Sequence, residues 1–526
     1  MWTGTAAAAL LFAAPLVAFL TTNEYPLLSA EAGILLAACA AAGVVLGSAA
    51  ALGMTAAALV LGAATALAID FAYGAHFSKP AFVLVPLVCL GLAALLRRHY
   101  ALVVAAAAFV FLATTMLIPS TVARDLAQPG NAGQPAGGND GPVILHVVLD
   151  EHIGIDGLPH ELPETAAFAR WLTETYLQAG FRVYSGAYSE YFDTRNSIAN
   201  LLNFSSDEGK WSHLARGQER PYVLTDSAYF RHLASLGYRL HVYQSDHIEL
   251  CRVPGVAYAS CFHYLSNSIG AIDQTTLGTA ERAQFIFNSF IATSKYLDKV
   301  RMVLRKLAGA EWDRAVSRVG PLAVLPVMQR LERELRSASR GNAYFAHLLI
   351  PHYPYVLDAS CRMRAEIEQW LYNTPAAKAP DDAVQNSAGS RAERYLRYFD
   401  QIRCQQLLLN RLFDALKDAG AWDDAIVIVH GDHGSRIVRN MPVEANAARL
   451  TPGDIDDAYS TLFAVRKGGA QPGMARGARP LQELLGDTFD LPVGKFAPKV
   501  YLRATDERLM PLPRDTGQAP LSPDGR

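Results

Sequence analysis

Long apolar runs fill the first part of the chain, at Thr3–Leu20, Ala30–Ala49, Ala51–Ile69, Ala81–Leu96 and Ala101–Ile118. Each is close to the roughly 17–25 residues that cross a bilayer as a helix, which satisfies its own backbone hydrogen bonds where water is absent. The pattern predicts about five transmembrane helices within residues 1–120. No basic region precedes the first run and four more follow it, so it is read as a span rather than a cleaved signal peptide. The one strongly basic short loop is Arg97-Arg98-His99-Tyr100, and such loops stay on the cytoplasmic side. Counting from it places the N-terminus inside and everything after Ile118 outside.

The pattern changes after residue 120. Residues 121–142, with Gln128–Pro142 reading QPGNAGQPAGGNDGP, are too rich in Gly, Pro and Asn to bury apolar surface and read as a flexible linker. From Val143 short apolar runs alternate with helical periodicity: VILHVVL ending at Leu149, FRVYSGAYS around Tyr184, YRLHVYQ ending at Gln244, AYFAHLLI ending at Ile350, AIVIVHG around Val427 and STLFAV around Phe463. Runs apolar throughout suit parallel strands covered on both faces, and the intervals accommodate crossover helices. The expectation is a doubly wound, mostly parallel α/β domain over residues 143–505. Residues 506–526 read as a disordered tail and the polar segment Pro375–Glu393 as a surface insertion. The amphipathic stretch Glu281–Leu307, with a basic end at Lys299, Arg301, Arg305 and Lys306, reads as a helix that packs on its own domain or rests on the membrane surface.

Composition sharpens this in two respects. The chain has 526 residues, 51% of them hydrophobic, and a formal charge of -2. Without clustered Lys and Arg, nucleic acid is excluded as a partner. Cys39 and Cys89 fall in apolar runs, whereas Cys251, Cys261, Cys361 and Cys404 form an even set in the outer domain, as an oxidising compartment allows. The expected pairs are Cys251 with Cys261 and Cys361 with Cys404, although four cysteines permit three connectivities.

In an open parallel sheet the ligand site lies beyond the carboxyl ends of the strands. Asp150-Glu151-His152 follows the first strand, and His430-Gly431-Asp432-His433-Gly434 ends the AIVIV strand. Asp and His from separate strand ends suit zinc or manganese, and the flanking glycines permit a tight turn. Taken singly, Asp150 and Asp432 are ordinary helix caps. Thr194 opens an apolar helical pattern, TRNSIANLL, where exposed amides favour an anion. His352 lies between Pro351 and Pro354, which fix its backbone. His347 lies inside the strand and reads as a hydrogen-bonded core residue or a substrate contact.

Together these segments resemble, in order and neighbourhood, the alkaline phosphatase superfamily, and within it the sulfatase-like membrane transferases such as lipoteichoic acid synthase and lipid A phosphoethanolamine transferase. The resemblance covers about Val143–Lys467 plus the membrane anchor, and Gly431-Asp432-His433-Gly434 is its most specific element. It implies Asp150, Thr194, Asp432 and His433 as metal ligands, Thr194 as nucleophile, and His352 as a catalytic, substrate-side histidine. No histidine follows His433, where many phosphoethanolamine transferases carry one; Arg436 or Arg439 is the candidate positive charge in its place, the alternative being an ordinary surface arginine. The Cys/Ser-x-Pro-x-Arg motif of sulfatases is also missing, since Cys361-Arg362-Met363-Arg364 lacks the proline.

The implied activity is metal-dependent transfer of a substituted phosphoryl group, of phosphoethanolamine or phosphoglycerol type, from a lipid donor to an envelope acceptor through phospho-threonine. The implied cofactor is one divalent ion, zinc or manganese. The implied place is the bacterial inner membrane, as an integral multi-pass protein with its catalytic domain on the periplasmic side and a membrane lipid or envelope glycolipid as substrate. Two other readings compete: a phosphatase, phosphodiesterase or sulfatase-type hydrolase, and a catalytically silent membrane binding module.

Overall fold

A computed structural model describes residues 2–23, 25–48, 53–73, 79–117, 139–216, 222–266, 268–275, 277–297, 299–300, 303, 320–364, 387–504 and 508–514. The chain divides into two compact units, Met1–Val122 with Asn267–Val319, and Ala123–Ser266 with Gly320–Arg526.

The first unit opens with helices α1 (Trp2–Thr22), α2 (Ala30–Gly47), α3 (Met54–Tyr73), α4 (Lys79–Leu95) and α5 (Tyr100–Leu117). Among the described residues α1, α2 and α3 are long and apolar enough to cross a membrane, while Pro80–Leu95 and Tyr100–Phe109 are shorter apolar stretches. Val45, Leu84, Leu87 and Phe109 are exposed; a hydrocarbon surround removes the cost that water would impose on such residues.

The second unit is built on eight strands: β1 (Ile144–Leu149), β2 (Arg182–Tyr184), β3 (Arg239–Ser245), β4 (Tyr258–Tyr264), β5 (Asn342–Leu348), β6 (Ile426–Gly431), β7 (Phe463–Arg466) and β8 (Gly473–Ala475). They form one sheet in the order β8-β2-β7-β6-β1-β5-β3-β4. The strands β6-β1-β5-β3-β4 are parallel to one another, and β7 alone runs against its neighbours. All residues of β1, β5 and β6 are buried, which is why these runs are apolar apart from His146, Asn342, His347 and His430. The sheet is mostly parallel, as the pattern predicts. β4 and β8 escape sequence reading because both are edge strands: YASCFHY mixes Ser, Cys and His into the run, and GMA is too short to show a period.

The remaining helices are α6 (Thr165–Gln178), α7 (Thr194–Leu201), α8 (Ala228–Ser235), α9 (Thr279–Thr293), α10 (Gly320–Leu335), α11 (Ala388–Asp418), α12 (Pro452–Tyr459) and α13 (Leu481–Thr488). Ile198 and Leu202 at α7, Phe230 of α8 and Leu484 of α13 pack with Val148, Val242, Phe345 and Ile428 of the sheet in one buried cluster. Elsewhere in this unit Phe168 of α6 stacks on Phe399 of α11 at 4.0 Å, and α10 packs along α11.

Both expected disulfides are present, Cys251–Cys261 and Cys361–Cys404, and Cys39 and Cys89 are free thiols. The tail reading needs correction. Leu509–Pro513 is a strand paired antiparallel with Lys499–Arg503, held because Leu509 is buried in a cluster with Tyr191 and Tyr501; residues 515–526 lie outside the described residues. Of the polar segment Pro375–Glu393, residues up to 386 also lie outside them, and Ala388 begins α11, capped by Ser387. Most of the expected linker, residues 121–138, lies outside them as well.

The amphipathic segment returns to the membrane helices. Phe290 of α9 stacks on Phe71 at 4.2 Å and meets Phe19 at 5.6 Å. Asp70, fully buried, accepts hydrogen bonds from Ser294 Oγ at 2.6 Å and the Tyr296 amide at 3.0 Å. Tyr296 Oη donates to the Phe82 carbonyl at 2.8 Å, and Arg282 lies 3.3 Å from Glu31 at the start of α2. Of the expected basic end, Arg301, Arg305 and Lys306 lie outside the described residues. Replacing Asp70 by Ala leaves two donors without their acceptor, a loss of about 1–3 kcal/mol. Asp70→Ala is expected to accelerate hydrogen exchange and proteolysis in Thr279–Leu297 and leave β1, β5 and β6 protected; unchanged exchange in that segment contradicts the clamp.

Candidate metal centre and active site

The register of the central strands creates the site. Leu149 of β1 pairs with Gly431 of β6 and with Leu348 of β5. The next residue on β1 is Asp150 and the next on β6 is Asp432. Adjacent strands lie about 4.8 Å apart, so two carboxylates emerge side by side, and both are fully buried. Ligand atoms of Asp150, Asp432 and His433 lie within 4.8 Å of one another.

Each side chain is aimed by the backbone. Asp432 Oδ1 accepts from the Glu151 amide at 3.0 Å and the His433 amide at 2.9 Å, whereas Asp432 Oδ2 and Asp150 Oδ1 are buried without a hydrogen bond. His433 Nδ1 donates to the Gly434 carbonyl at 3.0 Å, which leaves the lone pair on Nε2. That nitrogen lies 3.4 Å from Asp432 Oδ2 and 3.8 Å from Asp150 Oδ1. The flanking glycines serve close approach rather than a left-handed turn. A Cβ on Gly431 would stand 2.3 Å from the His152 carbonyl, and one on Gly434 would stand 2.2 Å from the Asp457 carbonyl.

Thr194 completes the cluster. It is the first residue of α7 and not its cap: the Asp193 side chain caps the helix by accepting from the Asn196 amide, which leaves the Thr194 hydroxyl free to face the crevice. Thr194 Oγ1 lies 3.4 Å from Asp150 Oδ2 and 3.4 Å from His433 Nε2. Ser197, one turn on, donates to the Asp432 carbonyl at 2.5 Å and ties the helix to the β6 loop.

Charges follow from this crowding. Burial, reinforced by the Asp150 carboxylate, pushes Asp432 well above the usual carboxylate range. Asp150 is buried too, yet His352 and the hydrogen bond with His347 hold it well below that range. Burial and then the Arg436 guanidinium push His433 down to about 3, so its imidazole is neutral. Two buried carboxylates beside a neutral imidazole carry full negative charge only with a cation among them. The donor set, two carboxylates, one imidazole and a hydroxyl, fits a divalent metal ion.

A second cluster adjoins the first. Glu151, fully buried, receives Arg436 Nε at 2.6 Å and the Tyr353 amide at 3.2 Å. His352 Nε2 lies 3.6 Å from Glu151 Oε1 and 3.4 Å from Arg436 Nη2. Burial disfavours the Arg436 charge, but Glu151 outweighs it and raises its pKa. Glu151 and Arg436 both have left-handed backbones, φ 66° and 55°. Such strain at non-glycine residues costs on the order of 1–3 kcal/mol each and persists where surrounding contacts enforce it. Arg436 is thus one half of a mostly buried ion pair, whereas Arg439 is exposed and 3.9 Å from Glu161.

His347 Nε2, on β5, lies 3.5 Å from Asp150 Oδ2. Glu151 and His247 carry no role in the sequence reading, yet both belong to the site. His247 Nδ1 lies 3.9 Å from Asp150 Oδ2, two residues beyond the end of β3; inspecting that strand end as closely as those of β1 and β6 would have found it. His152 belongs to neither of these two clusters of potential ligands. A third potential ligand group, Glu249 with Cys251 and Cys261, is taken up by the disulfide.

No family profile matches the chain, and no curated protein is similar to it in sequence. Among solved structures it is similar to the C-terminal periplasmic domain of EptC from Escherichia coli in complex with zinc, at 12% identity and TM-score 0.38 over 74% of this chain and 94% of that one. It is also similar to the phosphonate monoester hydrolase of Agrobacterium radiobacter, at 12% identity and TM-score 0.39 over 69% and 80%. A third is a protein in the alkaline phosphatase superfamily from Vibrio parahaemolyticus, at 12% identity and TM-score 0.39 over 74% and 83%.

Two outcomes follow from the geometry. Glu151→Ala strands a mostly buried guanidinium and is expected to cost about 3–5 kcal/mol, read as a lower unfolding midpoint; a shift no larger than that of an exposed substitution contradicts the buried pair. Because Asp432 keeps its proton beyond the usual range, divalent metal binding releases that proton, and affinity rises with pH until Asp432 ionises unaided. Calorimetric titration in two buffers of different ionisation heat measures the release; equal apparent heats in both contradict it.

Proposed function

We propose that this chain is a membrane-anchored enzyme that transfers a substituted phosphoryl group, of phosphoethanolamine or phosphoglycerol type, from a lipid donor to a hydroxyl of an envelope acceptor through phospho-Thr194. The observation that carries the reading is the Thr194 hydroxyl at a helix N-terminus, 3.4 Å from both a carboxylate and a neutral imidazole that share a buried anionic cluster. Asp150, Asp432, His433 and Thr194 would hold one zinc or manganese ion. When bound, such an ion neutralises charge on phosphoryl oxygens and lowers the pKa of a coordinated hydroxyl.

The chain's own groups do the rest. Thr194 Oγ1, its proton lost to solvent as a bound ion would allow, forms the bond to phosphorus as the donor's ester bond breaks, and that new bond breaks in turn when the acceptor oxygen attacks phosphorus; free amides at the α7 N-terminus stabilise the added negative charge. His352 Nδ1 is engaged by the Tyr353 carbonyl, so Nε2 delivers the proton to the departing alkoxide and later takes one from the acceptor hydroxyl. Glu151 lies 3.6 Å from that nitrogen. Arg436 holds Glu151 and His352 in place and offers its guanidinium to a phosphoryl oxygen; His347 binds the same group from the β5 side.

The anchor suits a lipid donor. The start of α2, the end of α3 and the start of α4 gather around the segment that returns from the outer domain, through Glu31, Asp70 and Phe82. With the 97–100 loop read as cytoplasmic, those helix ends lie on the periplasmic side of the membrane.

Intact-mass analysis after incubation with metal and phosphoethanolamine or phosphoglycerol lipids is expected to show a covalent adduct on the wild-type chain and none on Thr194→Ala. An adduct that persists in Thr194→Ala refutes the nucleophile. Steady release of free headgroup phosphate without transfer identifies a hydrolase instead.

A further inference from the structure

A groove of about 270 Å³ runs between α1, α2 and α3 beneath the returning helix α9. Its walls include Leu11 and Pro15 on α1, Leu35 and Ala42 on α2, and Ala64 and Phe71 on α3, roofed by Phe287, Phe290, Ile291 and Leu297. Apolar cavities of this kind stay dry and accept apolar guests. The space equals about nine water molecules at liquid density, too little for a helix of a second protein, whose side chains span about 10 Å. It is open along one side, since Ala38, Ala42 and Phe287 are exposed.

Its depth selects the occupant. Leu11 lies 11 residues below the end of α1 at Thr22, and Ala42 lies 12 residues below the start of α2 at Ala30. At 1.5 Å per residue these are about 16–18 Å, close to half of the roughly 30 Å hydrocarbon core. The groove therefore spans one leaflet, from the helix ends under the returning segment to the bilayer midplane. One turn above Leu35, Glu31 pairs with Arg282, so an anion and a cation stand together on the same end of the helices.

We propose that this groove holds one acyl chain of a glycerophospholipid from the outer leaflet, so that the segment between β4 and α10 is both part of the catalytic chain and the roof over its lipid. This rests on the reading of a lipid donor. The roof is fixed by the Asp70 clamp and by the Phe290–Phe71 stack, and every residue that lines the groove belongs to the same unit.

The test uses the full chain in phosphatidylethanolamine vesicles in which a fraction of the lipid carries a diazirine at the end of one acyl chain. After irradiation, adducts are expected to concentrate on Leu11–Pro15, Ala38–Ala42 and Ala64–Ala68, and to fall about tenfold, equivalent to about 1.4 kcal/mol, in Ala38→Phe and in Ala42→Phe, whose rings fill the space. Thr194→Ala is expected to crosslink as the wild type does, which separates lipid occupancy from catalysis. Adducts spread evenly over lipid-facing residues such as Leu87 and Phe109 overturn the proposal. So does a groove pattern that both phenylalanine variants leave unchanged, or one dominated by adducts between two copies of the chain.

Discussion

Two buried carboxylates on adjacent parallel strands, Asp150 and Asp432, set the terms for the rest of the sheet unit. The pairing of Leu149 with Gly431 places them side by side, where their repulsion in a dry site has to be answered by a proton or a cation. The surrounding structure keeps the question open for a cation. His433 presents a bare nitrogen, Thr194 presents a hydroxyl, and one oxygen of each carboxylate makes no hydrogen bond. A cluster meant to stay neutral would have satisfied those oxygens with amides, as the other oxygen of Asp432 is. The strained pair Glu151 and Arg436 belongs to the same logic: their left-handed backbones carry a charge network from the metal cluster to His352.

The two units are joined twice in sequence, once before β1 and again through the segment that leaves after β4 and returns before α10. Its contacts with the membrane helices are specific: a buried carboxylate at a helix end, an aromatic stack and an ion pair. The sheet unit thus sends out a segment that packs on the apolar N-terminal helices and roofs the groove between them.

Much of the sheet was legible because its central strands are buried on both faces, and such runs are apolar but for isolated residues such as His146, His347 and His430. The edges were not, because Ser260 and His263 in β4 and the three-residue β8 carry no period. At the site, Asp150, Asp432, His433, Thr194 and His352 could be found from their places after strands or at a helix start, and the structure gathers them. Glu151 was hidden by its neighbour: next to a ligand candidate it reads as a spare acid, and only its left-handed backbone and its pairing with Arg436 give it a part. His247 was hidden by distance, since 97 residues of sequence separate it from Asp150, and a three-dimensional crossing is needed to bring it within 3.9 Å. The strand at Leu509–Pro513 shows the reverse error, a Pro-rich segment that pairs because Leu509 is buried in a cluster with the stacked Tyr191 and Tyr501.

The carboxylate pair is tested most directly by measuring bound metal in the purified full chain by elemental analysis, with X-ray absorption to identify the coordinating atoms. The account predicts one tightly held divalent ion per chain, with oxygen and imidazole nitrogen in its first coordination sphere, lost in Asp432→Asn while the chain stays folded. A folded wild-type chain that takes up no divalent ion, or that binds it equally well in Asp432→Asn, contradicts it.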